Sequence, residues 1–262
     1  GDEYVERISR IWALSAPPLS ADANGTSLYE RFRKQYEEAR RLSAENSAFF
    51  REELQPALNS SDPLTQAQIE QFETLADNLS DFQRLELIDR VLCLKLYERL
   101  LKDAERKNDR ARQIGCLEQL IQHEYHMTEL VNRGETSAES GLMEKYCRAG
   151  IAHVHQALKW LPMEEFRTLT LPEVRGVLRA MRLEFLFCTG AAFHPEKLRK
   201  KFELVRHALE VVRDPARRAL FPDFDWDHEE GFCLYYIVVC GELYSFEDHS
   251  DPQAQEIIEQ TA

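Results

Sequence analysis

Leu85, Ile88, Leu92, Leu96, Leu100 and Ala104 follow one another at three- and four-residue steps, the interval that returns a side chain to the same face of an α-helix. The spacing recurs at Ile114, Leu117, Ile121 and Tyr125, at Val174, Val177, Leu178, Met181, Phe185 and Cys188, and at Leu198, Phe202, Val205, Leu209 and Val212. A chain patterned in this way buries one stripe of each helix and must stack helix on helix to do so. Strands need alternation at every second residue and frequent turns. With only 10 Gly and 10 Pro among 262 residues, the chain is poor in the residues that make them. The expected class is all-α.

Local punctuation divides the pattern. Four segments have the capping-box spacing, in which the first and fourth side chains satisfy each other's backbone N–H: Ser27 with Glu30, Thr65 with Gln68, Thr136 with Glu139, and Thr170 with Glu173. Asp81 and Asp109 read as further N-caps and Pro195 as a first helical residue, while Pro17-Pro18, Pro56, Gly134 and Gly190 read as stops. Helix starts then fall near 81, 109, 137, 172, 195 and 228, and the segment Asp214 to Asp227 reads as a loop. Two-helix steps are roughly 56 to 63 residues, against about 34 for a tetratricopeptide repeat (TPR). The expected architecture is a set of antiparallel hairpins stacked as a TPR-like right-handed superhelix, with an irregular bundle as the alternative. No Gly/Ser/Pro-rich linker interrupts the chain, so residues 1–262 read as a single domain. The leading Gly1 and the helical pattern still running at Glu256 to Ala262 read as a piece of a longer protein.

The formal net charge of -13 disfavours nucleic acid and anionic membrane as partners. The longest apolar run, Phe232 to Cys240, has nine residues, well short of the roughly 20 that span a bilayer. Cysteines at 93, 116, 147, 188, 233 and 240 form no C-x-x-C pair and sit in apolar helical stretches. They read as buried thiols in a reducing, cytoplasmic setting.

Few constellations suggest chemistry. His123 and His126 lie one turn apart, and His153 and His155 fall on the next helix, so four imidazoles could meet around a metal or haem. Residues two apart point in different directions, however, and H-E-x-x-H spacing is absent. Asp223, Asp225 and Asp227 resemble half a calcium loop, but His228 and Leu234 stand where Gly and Glu belong; helix-start acids explain the run better. Lys197, Arg199, Lys200, Lys201 and Arg206 make one helix basic. There is no G-x-S-x-G, P-loop or G-x-G-x-x-G sequence, and neither catalysis nor a cofactor is expected. Inward aromatics with polar companions, Tyr125, Tyr146, Arg182 and Tyr236, are candidates to line a peptide or ligand groove.

The stretches Glu45 to Leu58, Leu64 to Asp77 and Leu96 to Asp109, the last running into Ile114 to Leu117, resemble the N-terminal helical regions that precede GGDEF diguanylate cyclase and related signalling domains in clostridial bacteria. The resemblance covers about residues 28–135 and is one of helix pattern. It implies a bacterial regulatory or sensory module whose output domain lies beyond Ala262. No GGDEF sequence is present, so cyclase activity is not expected of this chain. Protein, peptide or a small ligand is the expected partner, with homodimerisation a further option; a stand-alone metal or haem protein using the four histidines is the rival.

Overall fold

In a computed structural model the described residues are Arg41, 48–80, 87–132, 142–187 and 195–246, and their regular elements are all helical. The chain divides into two compact units, Gly1–Asn108 and Asp109–Ala262, where the unbroken helical pattern reads as one. The expected caps Ser27, Asp81 and Thr136, the stops Pro17, Gly134 and Gly190, and Cys188 lie outside the described residues.

In the first unit a π-helical turn, Phe50–Leu54, runs into α1, Gln55–Asn59. Pro56 therefore does not close a helix, as its type suggests; it sits at the start of α1. The wider π turn before it accommodates a ring that would clash inside a regular α-helix. Helix α2, Gln66–Ser80, opens on the expected capping box. The Thr65 N–H donates to Gln68 Oε1 at 3.0 Å and the Gln68 N–H to Thr65 Oγ1 at 3.2 Å. It packs against α3, Leu87–Arg106, burying Ile69, Phe72, Leu75 and Ala76 in a core shared with Leu92, Cys93, Leu96, Leu100 and Ala104.

Polar side chains of α3 clasp the segment between α1 and α2. Arg99 Nε donates to the Ala57 carbonyl at 3.1 Å and its Nη2 to that of Asp62; Arg106 donates to the Ser61 carbonyl. Asp103, without solvent contact, accepts from the Leu64 N–H at 2.8 Å and pairs with Lys107 at 2.7 Å. Lys107 in turn donates to the Leu64 carbonyl at 2.9 Å.

The second unit contains α4 (Arg110–Asn132), α5 (Leu142–Leu158), α6 (Met163–Phe166), α7 (Leu171–Phe187), α8 (Pro195–Arg213), α9 (Pro215–Leu220) and α10 (Trp226–Phe246). Helix α4 packs on α5 and α7, α5 on α7, α7 on α8, and α8 on α9 and α10. Two glycines allow close approach. A Cβ on Gly176 would lie 2.5 Å from Ile114 Cγ2 of α4, and one on Gly150 of α5 would lie 2.2 Å from Phe187 Cζ. Helix α7 is the hub, burying Val174, Val177, Leu178, Met181 and Phe185. One half of the expected capping box forms: Glu173 accepts from the Thr170 N–H at 2.6 Å, while the Thr170 hydroxyl donates to the same carboxylate at 2.9 Å. Arg110 fixes the box, reaching both Glu173 oxygens and the Thr168 carbonyl. Burial opposes the Glu173 charge, but Arg110 and Thr170 outweigh it and hold the carboxyl below its ordinary range.

Candidate functional site

Side-chain geometry separates the four histidines into different roles. His153 Nδ1 lies 2.9 Å from both oxygens of Glu124, a carboxylate buried on α4. His155 turns instead to Glu184 of α7, with Nε2 at 3.3 Å. His123 is buried, and the His126 ring lies 5.8 Å from that of Tyr125. Among the described residues no group of three or more His, Cys, Asp or Glu side chains is placed to hold a metal ion. The calcium-like run is likewise spent on structure. Asp225 accepts from the His228 N–H at 3.1 Å, capping α10, and Asp227 pairs with Arg218 at 3.2 Å.

Among the described side chains of the basic helix, α8, the cations do not form a continuous positive face. Lys201 is buried with its ammonium 5.2 Å from the Tyr236 ring centre. Arg199 and Arg206 lie within ion-pair reach of Glu203 and Glu210, at 3.9 and 3.8 Å. Burial pushes the Cys233 thiol up to about 11 and raises that of Cys240, which makes both poor nucleophiles at neutral pH.

The four groove candidates fall in two places. Tyr125 meets Phe187 edge-on at 5.9 Å, and Tyr146 is buried; both belong to the packing of α4, α5 and α7. Arg182 and Tyr236 meet in a second cluster, where α7 faces α10. The Arg182 guanidinium lies 4.7 Å from the centre of Phe232, whose ring lies 4.8 Å from Tyr236 and 6.2 Å from Phe185. Arg182 Nε stands 3.2 Å from Glu229 Oε2, and both side chains are largely buried. Burial raises the Glu229 carboxyl above its ordinary value despite the opposing pull of Arg182. Long side chains thus bridge α7 and α10, and the cluster ties the two helices together.

An open groove of about 550 Å³ lies at another corner of the same unit, lined by Leu158, Leu161, Pro162, His207, Glu210, Val211, Asp214 and Arg217. The end of α5, the last turns of α8 and the start of α9 meet there. Asp214 caps α9, accepting from the Ala216 N–H at 2.9 Å, and Pro215 occupies the first turn, where no N–H is needed. Arg217 donates to Asp214 Oδ2 at 2.5 Å and to the Leu161 carbonyl at 2.9 Å, 5.3 Å from the centre of the Phe166 ring. Arg218 Nε donates to the Val212 carbonyl at 2.9 Å and its Nη2 to Glu230, which also receives Arg213 at 2.8 Å. That hydrogen bond from Arg213, acting against burial, holds the Glu230 carboxyl below its ordinary range.

None of these groove residues is among the four candidates named from sequence, and α9 falls in the segment that reads as a loop. A usable signal was present: Asp214-Pro215 is a cap followed by a first-turn proline. Compared with known protein families, curated proteins and solved structures, the chain matches none.

Proposed function

We propose that the chain is a non-catalytic helical interaction module that regulates an attached signalling output domain in the bacterial cytoplasm. The observation that carries this reading is the groove of about 550 Å³ where α5, α8 and α9 of the second unit meet, lined by apolar Leu158, Leu161, Pro162 and Val211 beside polar Glu210 and Asp214. Its volume suits a few side chains of a peptide or a small ligand. The chain-order packing of α4, α5, α7, α8 and α10 supports a TPR-like stack, whose open faces are binding surfaces. That no described helix is long and apolar enough to cross a membrane is compatible with this setting.

The test is to compare output activity with and without residues 1–262 in the protein encoded by the same reading frame. The expected result is a change in that activity on deletion. Output unaffected by the deletion, or a frame with no second domain, sinks the reading.

A further inference from the structure

We propose that the groove at the corner of α5, α8 and α9 takes a short peptide segment in which a basic residue stands next to an aliphatic or aromatic one. The proposal rests on the interaction-module reading and names its partner by chemistry. Leu158, Leu161, Pro162 and Val211 supply the apolar lining, which rewards burial of a hydrocarbon side chain in proportion to the area covered. Around them the lining carries the carboxylates of Glu210 and Asp214 beside the Arg217 guanidinium and the His207 imidazole, and the backbone adds acceptors. Helices α5 and α8 both end here, at Leu158 and Arg213, and a helix C-terminus carries partial negative charge on its last carbonyls.

The chain itself shows what this corner accepts. Arg217 places its guanidinium between the Asp214 carboxylate and the Leu161 carbonyl, over the Phe166 ring, and Arg218 reaches the Val212 carbonyl near the end of α8. Arg217 is committed to Asp214, whereas among the described residues the ion pairs of Glu210 are long and solvent-exposed. Arg206 lies 3.8 Å away and His207 3.9 Å, with the Glu210 side chain 66% exposed. Such exposed pairs hold little energy, so an incoming ammonium or guanidinium can replace them at small cost. The net charge of -13 draws a cationic segment toward the surface from a distance.

A library of random twelve-residue peptides is selected against the full 262-residue chain, and recovered peptides are titrated by fluorescence anisotropy. Recovered sequences are expected to pair Lys or Arg with Leu, Ile, Phe or Trp, and hydrogen-exchange protection is expected at 158–162 and 207–217. Glu210→Lys is expected to weaken binding about tenfold, Glu210→Gln less, and raised salt to weaken it as well. Because Glu210 is exposed, both variants should unfold at the wild-type temperature. Acidic or uncharged binders, or basic ones that bind Glu210→Lys as tightly as wild type, overturn the groove assignment while leaving the module reading standing. Self-association of the chain that Glu210→Lys abolishes would seat a second copy in the groove and overturn the peptide assignment. Recovery of no peptide at all also overturns the groove assignment, while the module reading stands or falls on the deletion experiment.

Discussion

Asp103 accepts a main-chain N–H and an ammonium with no water in reach. Burial opposes its charge, yet the hydrogen bonds from Lys107 and Leu64 and the nearby positive charges outweigh this and leave its pKa below the ordinary value. The folded form therefore binds the proton less readily than the unfolded form. Its stabilisation is complete above the ordinary carboxylate value and lost as pH falls through the depressed one. Asp103→Asn should cost about 2 kcal/mol at neutral pH, a modest figure because Lys107 is partly solvated. In urea titrations the gap from wild type should close in acid, below about pH 4; a gap independent of pH would contradict the assignment. At this scale the sequence was readable where partners are neighbours, as at Thr65 with Gln68. It was silent on Arg110 and Glu173, 63 residues apart, because pairing at that range depends on which helices become neighbours.

Helices are packed as closely as their smallest residues allow. Gly176 admits Ile114, so Gly176→Ala should destabilise by about 1–3 kcal/mol through overpacking, even though alanine favours the helix by itself. Ile114→Leu removes the opposing γ-methyl and should recover part of the loss; a double-mutant cycle with no coupling would count against this contact. At Gly231, where an added Cβ meets nothing within 4 Å, the same change should raise the unfolding temperature, by about 0.5–1 kcal/mol of stability. Element starts near 109 and 195 were visible beforehand, since Asp109 caps α4, accepting from the Arg112 N–H, and Pro195 opens α8. The six-residue α9 was not: it is too short for periodicity to register, and the groove it helps to form went unseen with it.

Over the whole molecule, the contact pattern separates Asp109–Ala262 from the preceding unit. The second unit has its own fully buried side chains, among them Val177, Leu178, Phe185, Val205 and Val212. Expressed alone, residues 109–262 should be helical by circular dichroism and unfold in one cooperative transition; a fragment without a thermal transition would show that this core needs the rest of the chain. The clasp formed by Arg99, Asp103, Arg106 and Lys107 has a further consequence, for inheritance. Its hydrogen bonds to residues 57–64 run to carbonyls and to an N–H, groups that nearly all amino acids share. Descendants of this chain are thus free to rewrite exposed Ser61 with little consequence, whereas position 64 must keep its N–H and so excludes proline. The constraint on one segment is written into another, and lineages should diverge at the loop long before they diverge on the helix that holds it.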